Sequence, residues 1–189
     1  MEEKIKVALI YGSSRPGRFC DKVAAWAAEQ IAGSEKFQIE IVDPAIELPE
    51  TGGQAIQRSP TLRQRLGVVD AFVVVTPEYN HGYPAPLKAL IDSVGPEWHA
   101  KPVAFVSYGG VSGGLRAVEQ LRLVFAELHA VTVRDTVSFA GAWEQFDGAG
   151  MLLEPERPRR SMAAMLSRLH WWAVALRNAR GAAPYRLTA

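Results

Sequence analysis

Strand-length apolar runs alternating with helix-periodic stretches predict an α/β fold, a doubly wound parallel sheet with helices on both faces. Two observations carry that prediction. Residues 7–10 and 71–75 are continuously apolar and 103–107 is apolar up to its final Ser107, the pattern of strands covered on both faces. Each is followed by a loop and then a stretch with helical periodicity, the order that a parallel crossover requires. The 189 residues are 48% hydrophobic and 22% charged. That suits one globular domain over 1–189, with 180–189 read as a flexible tail.

The elements follow in order. The first strand enters the turn Gly12-Ser13-Ser14-Arg15-Pro16-Gly17-Arg18. Pro16 fits the opening turn of a helix over 17–32, whose stripe is Cys20, Val23, Ala24, Ala27 and Ile31. Cys20 falls on that stripe and reads as core. Gly33 stops the helix, and Phe37–Val42 is a second strand ending at Asp43-Pro44. Residues 44–60 show no period and read as a long loop bordering a substrate pocket. Ser59 and Pro60 then open a short helix to Gly67. The strand at 71–75 ends in an irregular loop, because Thr76 precedes a proline.

A helix over 86–93 presents Leu87, Leu90 and Ile91, and the strand at 103–107 follows. Ser112 is placed to cap a helix whose stripe is Leu115, Val118, Leu121, Phe125 and Leu128. Residues 131–133 or 137–139 supply a final strand, and 140–160 form a second long loop. Met162, Met165, Leu169, Trp172 and Leu176 mark the last helix.

Bulk properties narrow the function. A net charge of +1 suggests neither nucleic acid nor an acidic membrane surface as partner. One cysteine excludes an intramolecular disulfide and a cysteine-ligated iron–sulfur cluster. No apolar run reaches transmembrane length and the first six residues are not signal-like, so a soluble, cytoplasmic protein is expected.

The chemistry concentrates in three loops, 12–18, 77–84 and 107–114, each following a strand. In a doubly wound sheet the carboxyl ends of the strands share one edge, where ligands gather. The first loop offers hydroxyls, guanidinium groups and a helix N-terminus, which suit a phosphate. It lacks the Lys-Ser/Thr pair of a P-loop and the three glycines of a dinucleotide fingerprint. The second sets Tyr79, Asn80 and His81 beside a proline-stiffened backbone, and the third lets glycine N–H groups approach a flat ring. A phosphate site next to surfaces for the edge and face of a heterocycle describes an FMN site. A phosphorelay receiver shares this fold class, but it needs clustered aspartates where Tyr11-Gly12 stands.

The segments GSSRPGR, PEYNHGYPAPLKALIDS and KPVAFVSYGGVSGG resemble the flavin-contacting segments of the NADPH-dependent FMN reductase family. The similarity covers most of 5–140 and is weak beyond it. The family includes quinone, azo and chromate reductases. The resemblance implies a flavodoxin-like five-stranded sheet in order 2-1-3-4-5, non-covalent FMN, and NADPH or NADH as co-substrate. It also implies a homodimer or homotetramer with the flavin near the subunit interface. It assigns the phosphate to Ser13, Arg15 and Arg18, and ring and ribityl contacts to Pro77, Glu78, Tyr79 and Asn80. The flavin edge falls to Ser107, Gly109 and Gly110. Gly82 and Pro84-Ala85 depart from the serine and Pro-Gly of many members.

The implied reaction is ping-pong hydride transfer from NAD(P)H to the flavin, then to a small-molecule acceptor: a quinone, azo compound, chromate or free flavin. Hydride transfer needs stacking and proximity, so no side chain is assigned a catalytic proton and no metal is expected. A flavodoxin-like electron carrier and an FMN-binding redox sensor are the alternatives. His81 reads as a proton donor to a quinone or as a local hydrogen-bonding residue. Trp98, His99 and Lys101 read as packing or inter-subunit residues, and Trp171-Trp172 as core or interface. Arg157, Arg159 and Arg160 read as a solvated loop, and Arg116 as a candidate for the dinucleotide.

Overall fold

The computed structural model describes residues 3–48 and 60–185. Five parallel strands form one sheet in the order β2-β1-β3-β4-β5. They are β1 (Ile5–Tyr11), β2 (Phe37–Val42), β3 (Ala71–Pro77), β4 (Pro102–Gly109) and β5 (Val131–Ala140). The helices are α1 (Cys20–Ala32), α2 (Pro44–Glu47), α3 (Pro60–Gly67), α4 (Ala85–Asp92), α5 (Leu115–Glu127) and α6 (Glu156–Ala182). Every residue of β3 and β4 is buried, which explains their unbroken apolar sequence.

Alternate residues of the strands feed two cores. Val7, Leu9, Val73, Val75, Ala104 and Val106 pack with α1 and α6 on one face. Ala8, Ile10, Phe72, Val74, Val103 and Phe105 pack with α3, α4 and α5 on the other. Cys20 is fully buried, and burial pushes its thiol pKa up.

Several boundaries differ from expectation. The helix after the first turn begins at Cys20 behind Phe19, so Pro16 lies in the turn and not in the helix. Thr76 and Pro77 stay in β3, because Thr76 pairs with Ser107 and Pro77 with Tyr108. A proline is tolerated at the end of a strand, where no further ladder bond is needed. The two candidate final strands are one strand: Arg122 donates to the carbonyls of Val133 and Arg134 and to Thr136 Oγ1, bridging an irregular register opposite Val103–Phe105. Helix α5 starts after Gly114, whose φ of +83° suits glycine, so Ser112 is not its cap.

Residues 44–47 form α2, capped by the Asp43 side chain on Ala45 N–H at 2.8 Å, and not the open loop expected there. Residues 49–59, including Ser59, lie outside the described residues. The segment 140–160 is ordered by a 3-10 turn at Ala142–Glu144, a bridge between Phe146 and Leu152, and the start of α6. Arg157, Arg159 and Arg160 are therefore helical. Residues 180–185 are not a free tail: Arg180 donates to Ala100 O at 2.6 Å, and Tyr185 OH meets His129 Nδ1 at 2.9 Å.

Candidate functional site

The carboxyl ends of β1, β3 and β4 bring the three loops together. Gly12 packs directly on β3, its N–H donating to Val75 O at 2.7 Å. A Cβ there would stand 2.5 Å from that oxygen, so only glycine fits. Ser13 is buried, and its Oγ shares a 2.8 Å hydrogen bond with Tyr79 OH, tying the first loop to the second. The exposed Arg15 stacks over the Tyr79 ring, 3.8 Å from its centroid. Among the described residues, no acceptor meets the backbone N–H groups of Ser14, Gly17, Arg18 or Phe19. Free N–H groups beside an uncommitted guanidinium are an anion cradle.

Arg18 is placed differently from Arg15. Its guanidinium pairs with Asp43, bonds Asp21 at 2.7 Å and reaches Ser13 O. Burial alone would raise the Asp43 pKa, but the Arg18 fork outweighs it and holds the carboxyl below its usual value. With most of its donors engaged, Arg18 braces the loop from behind.

The second loop turns between Tyr79 and Gly82, which exchange N–H···O bonds of 2.9 and 3.1 Å. Asn80 at φ +50° and His81 at φ +74° give both central residues the left-handed geometry of a type I′ turn. His81 lies exposed at the tip, its carbonyl accepting from Gln120 at 2.9 Å. Glu78 has turned inward. Its carboxylate accepts from Ser112 Oγ at 2.6 Å, from Arg116 N–H at 3.2 Å and from Arg116 Nη1 at 2.9 Å. Burial pushes the Glu78 pKa up, but the bonds from Ser112 and Arg116 prevail and keep it below its usual value. Arg116, a candidate for the dinucleotide from sequence, is thus half of a clamp between the second and third loops.

In the third loop Gly110 stands at the open edge, where a Cβ would meet nothing within 4 Å, whereas Gly109 ends β4 buried, and a Cβ there would stand 3.2 Å from Gly114 N. Among the described residues, no acceptor meets the N–H groups of Gly110, Val111 and Ser112. Ser107 is fully buried behind them, donating to Gly113 O at 2.8 Å, so it shapes the loop from the interior. Pro77, Glu78, Tyr79 and Gly109 line a cavity of about 260 Å³ with Phe19, Tyr108 and Trp143.

Four of the ten residues expected from sequence thus line this cavity, Pro77, Glu78, Tyr79 and Gly109; Ser13 and Arg15 adjoin it through Tyr79, and Gly110 follows Gly109 in the chain. Arg18 and Ser107 support it from behind, and Asn80 occupies the turn at its rim. The reading missed the aromatic walls. Tyr108 carried a signal, standing in the YGG loop, whereas Phe19 and Trp143 had none. Trp98 is fully buried core, and Lys101 donates to Leu66 O and Gly67 O at 2.8 and 3.0 Å. Trp171 and Trp172 are not core: they pack edge to face on α6 and remain exposed.

The model of the family described as NADPH-dependent FMN reductase matches residues 5–144. The NAD(P)H-dependent FMN reductase LOT6 of Saccharomyces cerevisiae is 36% identical over 140 residues, covering 64% of this chain and 73% of that protein. An NAD(P)H:quinone oxidoreductase of Solanum tuberosum is 34% identical over 178 residues, covering 86% of this chain and 90% of that one. Among solved structures, the flavoenzyme NAD(P)H:(acceptor) oxidoreductase FerB of Paracoccus denitrificans superposes with a TM-score of 0.70. It shares 19% identity over 90% of this chain and 98% of its own, and so speaks to the fold. This chain belongs to the NADPH-dependent FMN reductase family.

Proposed function

We propose that this protein is an FMN-dependent NAD(P)H oxidoreductase passing electrons to a quinone or a related small-molecule acceptor. One observation carries the reading: at the carboxyl edge of the sheet an aromatic cavity lined by Pro77, Glu78, Tyr79 and Gly109 adjoins first and third loops whose backbone N–H groups meet no acceptor among the described residues. The residues fit the cofactor. Arg15 with the N–H groups of Ser14 and Gly17 suits its phosphate, with Ser13 fixing the loop. Pro77, Glu78, Tyr79 and Asn80 offer the walls for ribityl and ring, while Gly109 and Gly110 let donors reach the ring edge. When bound, FMN supplies the redox chemistry, accepting two electrons from NADPH or NADH and returning them to the acceptor. The protein binds, orients and shields.

Arg18 and Ser107 belong to this site as braces of the first and third loops. Assembly as a homodimer or homotetramer and a cytoplasmic location are part of the same proposal, supported by family membership. No helix among the described residues is long and apolar enough to cross a membrane. An electron carrier is the second reading, but carriers dock by charge steering, and a net charge of +1 offers little of it.

The test is steady-state oxidation of NADPH and NADH by the FMN-loaded protein with menadione as acceptor and no partner reductase. Many turnovers per flavin are expected. Flavin that binds but is reduced by neither nucleotide would leave the carrier or sensor reading in its place.

A further inference from the structure

We propose that the amino end of the sheet carries a second ligand site, where Lys101, Arg180 and His99 together hold a dianionic phosphate group. The inference is independent of the oxidoreductase reading, because it concerns the end of the sheet opposite the flavin site. A cavity of about 390 Å³ lies there, lined by Lys101, Arg180 and His99 together with Gly67, Glu97 and Tyr185. That volume is within the range of small-molecule sites.

Lys101 stands one residue before β4 and is only 5% exposed. Its ammonium donates to Leu66 O and Gly67 O and lies 5.7 Å from the Phe72 ring, all uncharged partners. Among the described residues, no carboxylate comes within ion-pairing distance of it. The neighbouring carboxylates serve other cations. Glu97 pairs with Arg63 at 2.8 Å, and Asp70 is shared between Arg177 and Arg180 at 3.6 and 3.5 Å. A buried ammonium without a counter-charge is costly, and this one keeps a third donor uncommitted. Burial, and then Arg180, hold its pKa down at about 8.

The other donors converge on the same stretch of chain. Arg180 Nη1 donates to the carbonyl of Ala100, the residue between His99 and Lys101, and the guanidinium keeps further N–H groups to spare. The His99 ring packs edge to face on His129 and Tyr185, with centroids at 5.3 and 5.9 Å. Among the described residues, no hydrogen-bond partner meets its ring nitrogens. Ala100 adopts φ +52°, a left-handed geometry that a residue with a Cβ keeps only where its surroundings hold it. Ala100 N–H on His129 O at 2.8 Å, and Arg180 on its carbonyl, supply that hold. The three donors are therefore positioned before a ligand arrives.

Charge selects the ligand class. Burial, and then His129, hold the His99 pKa below its usual value, so the ring is uncharged above neutral pH. A dianion gives the Lys101 ammonium its counter-charge and draws a second positive charge onto His99. A monoanionic carboxylate answers only the first. Phosphate, free or at the end of a small metabolite, carries nearly two negative charges at pH 8 and offers an oxygen to each donor.

The experiment is calorimetric titration at pH 8 of the FMN-loaded protein, whose first loop is filled, with inorganic phosphate, glycerol 3-phosphate and acetate in turn. One-to-one binding of phosphate is expected, and none of acetate. Tighter binding of glycerol 3-phosphate makes a phosphate ester the occupant; equal or weaker binding makes it free phosphate. An anion raises the pKa of Lys101 and of His99, so binding takes up protons. Repeating the titration in Tris and in HEPES, whose ionisation heats differ, measures that uptake. Lys101→Met weakens phosphate about 10-fold or more, the worth of a charge-assisted bond. His99→Gln leaves the carbonyls at the end of α3 satisfied, weakens phosphate about 3- to 10-fold and reduces the proton uptake. No phosphate heat, binding without proton uptake, or equal affinity in wild type and His99→Gln overturns the proposal. If the protein takes up no FMN, the same titrations of Arg15→Ala, whose first loop lacks its free guanidinium, decide in the same way.

Discussion

Arg15 and Arg18 lie one turn of chain apart, and their neighbours give them separate tasks. Arg15 is exposed, stacked on Tyr79 and free to meet an anion; Arg18 is committed to Asp43, Asp21 and Ser13 O. Arg15→Ala should therefore leave stability within about 0.5 kcal/mol of wild type while weakening FMN roughly 10- to 100-fold, the worth of a charge-assisted phosphate bond. Arg18→Ala should cost about 2 kcal/mol in urea unfolding of the flavin-free protein, because Asp43 is left mostly buried without its partner. Acid adds a second check. Asp43 and Glu78 titrate below their ordinary values in the folded chain, so their stabilisation is complete above the unfolded pKa of about 4 and fades as pH falls through the folded values. Unfolding free energy should hold steady from pH 7 to about 5, then drop. Asp43→Asn should flatten that acid limb. At this scale the sequence showed residue types and not partners: Asp43 is 25 positions from Arg18 and meets it only because β2 lies beside β1.

Among the elements, the loops differ in how tightly the strands hold them. Gly12 is pressed against β3, so Gly12→Ala should displace the first loop, cost about 1–3 kcal/mol and release FMN. Gly110 faces open space, and its φ is not among the positive values, so Gly110→Ala should fold as wild type does. Its methyl would nevertheless stand where a ring edge is expected. Thermal unfolding paired with an FMN titration separates the two variants. The strands and the helices α1, α3, α4 and α5 were legible because their periodicities are set by burial on one or two faces. The link across β5 was not: Arg122 bridges 133–136 from another element, which local pattern does not reveal. Nor was the order in 140–160, where isolated backbone bonds replace any repeating pattern.

Over the whole molecule, the two edges of the sheet divide the labour. The amino edge is closed by fixed charges: Asp70 meets Arg177 and Arg180 at 3.6 and 3.5 Å, and Lys101 satisfies the carbonyls ending α3. The carboxyl edge instead leaves N–H groups without an acceptor among the described residues, beside a cavity walled by aromatic rings. Strand order makes this contrast, because β1, β3 and β4 are neighbours and their three loops must share one opening. That convergence was readable from the order of strands and loops before any contact was known. The fourth wall, Trp143, was not, since it follows β5 in a segment without pattern.

The claim on which the account stands is that these three loops together hold FMN. Its most direct measurement is an FMN titration, by quenching of flavin fluorescence, of flavin-free wild type and the Arg15→Ala/Asn80→Gly variant. Glycine at 80 preserves the left-handed turn while removing the amide, so circular dichroism should match. Saturable one-to-one binding by wild type, and none by the variant over the same range, is the predicted result. Equal affinity in both proteins would place the flavin elsewhere and contradict the account.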